Sequence, residues 1–144
     1  MNRKEFILKA GLGTCGIVLG SSLISSCSTT QYLSLEPKSE GVWEVPISAF
    51  FDPEKEKNYQ VLILELKGLN APVALEKLDQ GYQAILMQCT HKGCTVNRGG
   101  GMFTCPCHGS EFDAQGKVLE GPAQKDLLKL TTQIEDEKII LSLP

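Results

Sequence analysis

Long apolar runs are missing from this sequence, histidine is scarce, and neither sign of charge dominates. The most apolar stretch, Ala10 to Ile24, is uncharged but falls short of the roughly 20 residues that a membrane span needs. The formal charge of −3, from 14 basic and 17 acidic residues, gives no basic face for nucleic acid. Only two histidines are present, and no nucleophile–base pair, phosphate loop or internal repeat can be read, so no separate catalytic centre stands out. What the chain does have is an ordinary apolar content of 42%, a length that suits one domain, and six cysteines. Cys89, Cys94, Cys105 and Cys107 share one short window with both histidines, His91 and His108. That clustering asks for a metal.

The first residues read as an address. Arg3, Lys4 and Lys9 form a positive start ahead of the Ala10 to Ile24 stretch, which suits the apolar region of a signal peptide. The run Asn2 to Lys9 resembles the twin-arginine export signal, with Lys4 in place of the second arginine. That route carries folded proteins, as a protein loaded with metal in the cytoplasm would require. Ile24-Ser25-Ser26-Cys27 resembles a bacterial lipobox, which implies lipidation of Cys27. We therefore expect a signal peptide over 1–26, or an uncleaved anchor in its place, on a bacterial protein held at the extracytoplasmic, periplasmic face of the membrane. Residues 27–40 are mostly polar without a clear period and read as a tether.

From Gly41 onward the pattern predicts an all-β domain, a sandwich or barrel. Val42 to Ile47 and Tyr59 to Leu66 are strand candidates. Pro72 to Leu78 and Tyr82 to Gln88 flank the turn residues Asp79-Gln80-Gly81 and read as a hairpin. Leu127 to Ile134 and Lys138 to Leu143, around Glu135-Asp136-Glu137, read as another. The Asp52 to Asn58 run reads as a solvated loop, and Trp43 as a packing residue.

Two boxes interrupt this pattern, Cys89-Thr90-His91-Lys92-Gly93-Cys94 and Cys105-Pro106-Cys107-His108-Gly109-Ser110. Their glycines and proline mark loops. Structural zinc would take four of the six ligands and leave two thiols unused, and its ligands usually stand about two to four residues apart, unlike Cys-x-His. A disulfide framework would leave both histidines unexplained. A [2Fe–2S] cluster with two Cys on one iron and two His on the other leaves two cysteines free to pair in an oxidising compartment, and so uses all six residues.

The boxes C-x-H-x-G-C and C-x-C-H-G-S resemble those of the Rieske family, in its disulfide-containing, high-potential branch. The resemblance implies a Rieske-type antiparallel β-sandwich or barrel over 41–144 with a cluster-binding loop subdomain. It implies one [2Fe–2S] cluster per chain, held by the metal ligands Cys89, His91, Cys105 and His108. It also implies a Cys94–Cys107 disulfide, a cluster-directed hydroxyl on Ser110, and a covering loop at Gly121-Pro122-Ala123. At Phe112 the high-potential members carry a tyrosine, so the potential is expected below theirs, within the class range of about −150 to +300 mV.

The function implied is one-electron transfer, as an exported carrier or electron-transfer subunit. Its partner would be a redox protein, a cytochrome or an oxidoreductase subunit. The alternative is the Rieske subunit of a quinol:cytochrome c oxidoreductase, or of a periplasmic oxidase such as arsenite oxidase. Quinol-oxidising members carry an apolar leucine where this chain has Lys92, whose hydrated ammonium is costly to bury. Gln124 also departs from the second proline of their third loop. Dioxygenase-type ferredoxins lack cysteine at the two disulfide positions.

Overall fold

Val61-Leu62-Ile63-Leu64 is the run around which the molecule is built. The structure is a computed structural model that describes residues 30–144; the expected signal peptide and Cys27 lie outside the described residues. In chain order the strands are β1 (Thr30–Leu35), β2 (Val42–Pro46), β3 (Phe51–Asp52), β4 (Lys57–Asn58), β5 (Val61–Leu66), β6 (Val73–Lys77) and β7 (Tyr82–Leu86). They continue with β8 (Asn97–Gly99), β9 (Met102–Thr104), β10 (Glu111–Phe112), β11 (Val118–Glu120), β12 (Lys129–Glu135) and β13 (Lys138–Ser142).

Seven strands form one sheet in the order β1-β5-β6-β7-β12-β13-β2, curled so that it nearly closes as a barrel. A second sheet, β11-β10-β9-β8, carries the loops that hold the two boxes. Successive side chains of a strand point to opposite faces, and here both faces of the central strands are covered. Leu62, Leu64, Leu75 and Ala84 face the barrel core with Trp43, Val45, Ile139 and Leu141. Val61, Ile63, Ala74 and Ile85 face a second core, shared with Cys89, Cys105, Phe103 and Phe112. A strand buried on both faces reads as a continuous apolar run, hence Val61 to Leu64.

Both expected hairpins form, with Lys77 opposite Tyr82 in the first and Glu135 opposite Lys138 in the second. Asp136 and Glu137 take the second turn at positive φ (43° and 66°), which a two-residue hairpin of the favoured twist requires. Trp43 is buried as expected, and its Nε1–H donates to the Lys67 carbonyl at 3.3 Å. Two expectations need correction. The tether assigned to 27–40 is strand over Thr30–Leu35, and β1 runs parallel to β5, so the main sheet is not purely antiparallel. Leu33 and Leu35 pack on the barrel core, and that burial offsets the cost of ordering an otherwise polar segment. The run at Asp52 to Asn58 is solvated as expected, but its ends pair as a small hairpin, β3 with β4. Asp52 Oδ1 accepts the backbone N–H groups of Glu54 and Lys55 at its turn, which satisfies donors with no strand partner.

The two cores are tied through polar groups as well. The Arg98 guanidinium on β8 pairs with Glu76 on β6 at 2.7 Å and lies over the Phe103 ring. The Gln83 amide on β7 donates both to Glu76 Oε2 (3.2 Å) and to the Ala114 carbonyl (2.7 Å).

At the far edge, Glu44 on β2 accepts from Lys38 and from Lys138 on β13. Hydrogen bonds from Lys38 and then Lys138 hold its carboxyl below the usual carboxylate range, against a smaller opposing push from desolvation. A carboxyl depressed in the fold contributes stability above its unfolded pKa and loses it as pH falls through the folded value. Glu44→Gln should therefore flatten the acid limb of stability, measured as urea midpoints from about pH 7 down to about pH 3. An unchanged acid limb would mean that these ion pairs contribute nothing.

Candidate metal centre

Two loops of the same construction form the site. In the first, between β7 and β8, the Cys89 N–H donates to the Cys94 carbonyl at 2.7 Å and the Gly93 N–H returns to the Cys89 carbonyl at 2.8 Å. In the second, between β9 and β10, the Cys105 N–H donates to the Ser110 carbonyl (2.8 Å) and the Gly109 N–H to the Cys105 carbonyl (3.0 Å). The equivalent glycines, Gly93 and Gly109, have φ of 77° and 79°, in the left-handed region that a side chain disfavours. Each loop thus begins with a buried cysteine on the second core and turns back over it. The histidines stand at different offsets from these cysteines, yet they meet: the His91 and His108 rings lie edge to face with centroids 4.9 Å apart.

Cys89 and Cys105 are buried free thiols, the only free cysteines among the described residues. His108 is exposed and His91 half-buried. The arrangement therefore has a sulfur side within the protein and an imidazole side toward solvent. Cys94 and Cys107 are joined in a disulfide that links the loops. Their sulfurs and that of Cys105 lie within 4.8 Å of one another; two of the three are bonded together, so this is a disulfide beside a free thiol and not a three-thiolate metal site.

A third loop closes the site. The Ser110 side chain is fully buried, and its Oγ accepts the Ala123 N–H at 2.9 Å. The Thr90 hydroxyl donates to the Lys125 carbonyl at 2.6 Å, fastening the first loop to the third. The covering loop expected at Gly121-Pro122-Ala123 is in place, but its partners could not be read from side chains, because the Ala123 N–H and the Lys125 carbonyl are backbone groups that any residue could supply. Burial pushes the Cys89 thiol up, but hydrogen bonds from the His91 N–H, the Cys105 and Ser110 side chains and the Lys92 N–H outweigh it and leave the thiol below its ordinary range. Cys89 is therefore disposed to serve as a thiolate. The donor set fits a cluster bound by thiolate and imidazole: two buried free sulfurs, and a His91 Nδ1 that is buried with no hydrogen-bond partner. An orphaned buried nitrogen in the same site suits a ligand atom, since burying it unpaired costs free energy.

The Rieske [2Fe–2S] domain model matches residues 53–134. The chain is 32% identical over 159 residues to the cytochrome b6-f complex iron-sulfur subunit 1 of Nostoc sp. (strain PCC 7120 / SAG 25.82 / UTEX 2576), covering 99% of this chain and 84% of that protein. It is also 32% identical over 156 residues to the cytochrome b6-f complex iron-sulfur subunit of Synechococcus sp. (strain RCC307), covering 99% and 85%. Among solved structures, the plasma membrane Rieske protein PetC3 from Synechocystis PCC 6803 matches at 32% identity over 72% of this chain and 87% of that one, with a TM-score of 0.45. A chain from the complex of oxygenase and ferredoxin in carbazole 1,9a-dioxygenase matches at 18% identity over 72% and 94%, with a TM-score of 0.50. This chain belongs to the Rieske [2Fe–2S] family. It carries a [2Fe–2S] cluster and transfers single electrons through it.

Ser110 and Phe112 set expectations for the potential. The Ser110 hydroxyl accepts the Ala123 N–H, so its own proton is left to point at sulfur, as its hydrogen bond to Cys89 indicates. Donors to sulfur favour the more negative, reduced state and raise the potential. Ser110→Ala should lower it by roughly 60 mV, the one-electron equivalent of about 1.4 kcal/mol. Phe112 is fully buried in the core that holds both thiols, and Phe112→Tyr should raise the potential by offering a second hydroxyl. Protein-film voltammetry of the two variants reads both shifts; equal potentials in all three proteins would remove the hydroxyls from the account.

Proposed function

We propose that the chain is an extracytoplasmic, membrane-tethered electron-transfer subunit that exchanges electrons with a partner in a cytochrome complex. Cys89 and Cys105 would hold one iron and His91 and His108 the other, with Ser110 donating to sulfur. The cluster supplies a one-electron couple; the protein encloses the sulfur side and leaves the imidazole side open. The observation that carries this reading is that asymmetry, with both thiols buried and His108 exposed beside His91. Electron exchange falls off with distance, so the imidazole edge is where a partner would dock. Relatives named as cytochrome b6-f subunits match 99% of the chain, which supports a cytochrome complex and attachment to a membrane. The export signal and a lipid on Cys27 supply the tether in this reading.

Lys92 favours a second reading, an exported carrier that serves a protein partner without entering a quinol site. It is exposed next to His91, and inserting its ammonium into an apolar pocket would be costly. The two are separated by purifying the tagged full-length protein from detergent-solubilised membranes. Haem bands that copurify, with quinol-driven cluster reduction blocked by a quinol-site inhibitor, support the subunit of a quinol-oxidising complex. A cluster-loaded chain without haem, unreactive to quinol, supports the carrier. A chain in the cytoplasmic fraction, with no lipid label on Cys27, overturns the localisation.

A further inference from the structure

The three loops around the site contain two cations, Lys92 and Lys125, and no acidic residue over 89–94, 105–110 and 121–125. This is unusual within a chain of net charge −3. Both lysines are exposed. Among the described residues, neither Lys92 nor Lys125 forms an ion pair with a carboxylate of this chain, a state they share with Lys57, Lys77, Lys117 and Lys129, and they alone of these lie in the loops around the site. The acids bordering the third loop are Glu120 and Asp126, and Asp126 Oδ1 is engaged by the Val118 N–H at 2.9 Å. The Thr90–Lys125 hydrogen bond fastens the two lysine-bearing loops together on the side of His91, so the two charges act from one end of the molecule.

We infer that this end is a docking surface for a redox protein with an acidic face, an inference that rests on the electron-transfer reading above. Docking against a neutral apolar face would desolvate two ammonium groups without compensation. Carboxylates on the partner supply that compensation, and they steer encounter toward the end where the imidazoles reach the surface. The acidic remainder of the chain repels the same partner, which restricts productive approach to this end. The step would be a single outer-sphere electron transfer, in which one electron passes to the partner's metal from the couple that Cys89, Cys105, His91 and His108 would hold, with no bond formed or broken.

The test uses the cluster-loaded, full-length protein, reduced and mixed in a stopped-flow instrument with two forms of mitochondrial cytochrome c. One is the native basic protein and the other is succinylated and acidic. The acidic form should be reduced faster at low ionic strength and should slow as salt rises. The pair Lys92→Glu with Lys125→Glu should cost about tenfold with the acidic form at low salt and reverse the salt dependence. The double variant should keep its full cluster content, and its rate with a small uncharged oxidant, corrected for the measured change in driving force that the added negative charge brings, should match that of the unaltered protein. Loss of that last rate would indict the electron-transfer reading itself. Equal effects of the double variant on both cytochrome forms, or none, would overturn the docking surface. So would lysine-dependent sedimentation with phosphatidylglycerol vesicles and no preference for the acidic cytochrome, since the charges would then serve a lipid surface.

Discussion

Chains carrying Cys89→Ser, Cys105→Ser, His91→Ala or His108→Ala should purify without iron and without acid-labile sulfide, and should give no EPR signal of a reduced cluster. The loss should be complete in each case if the four groups act as one site, since removing one would leave an iron short of a ligand and open to water and oxygen. Ser110→Ala and Phe112→Tyr should keep the cluster with altered potential, which would separate ligands from tuning groups. Iron and sulfide assays on the six proteins decide the assignment. Stoichiometric zinc without labile sulfide in the unaltered chain would overturn it. The buried, free state of Cys89 and Cys105 and the orphaned His91 Nδ1 also imply a cost in the empty protein. Binding the metal should raise stability, since ligation replaces unpaired burial.

Cys94→Ser or Cys107→Ser should leave the cluster in place but make it much less durable. The bond closes a loop of 13 residues between the two boxes, and a link of that length is worth about 3 kcal/mol where the native geometry accepts it. In a domain of this size the cluster absorbance should then bleach at a temperature lower by roughly 10 °C. Without the bond the loops are still held by the Cys89–Cys94 and Cys105–Ser110 backbone hydrogen bonds and by the Thr90–Lys125 fastening, which is why assembly survives. The comparison to make is thermal bleaching of the serine variants against that of the unaltered protein treated with a reductant. Matching curves support the assignment, and a serine variant as durable as the oxidised protein would refute it.

The site was legible because its chemistry is written in short, local boxes. Cys89 to Cys94 and Cys105 to Ser110 place scarce residue types side by side, and the hairpins at 72–88 and 127–143 are marked by their own turns. Strand β1 was not legible, because Ser28 to Glu40 is polar and only Leu33 and Leu35 have a core to pack on. The alternation becomes meaningful only once β5 is present to pair with it in parallel. The polar network of Glu76, Gln83, Arg98 and Ala114 joins residues remote in the chain, each an ordinary surface type when read alone. The common frame of the two loops was hidden too, because the histidines occupy different offsets and the matching feature is a backbone hydrogen-bond pattern. The basic end emerged only when the third loop was seen beside the first.

Strand β1 also bears on how far the protein can roam. A free segment from Cys27 to Glu40 would have let the domain swing on a long leash. Because Thr30 is already paired in register with Val61 of the sheet, only Ser28 and Thr29 separate it from the proposed anchoring residue. Three residue steps span about 10 Å even when fully extended. A domain anchored at Cys27 and held that closely would sweep a thin layer against the bilayer, and would meet only partners that stand in that layer.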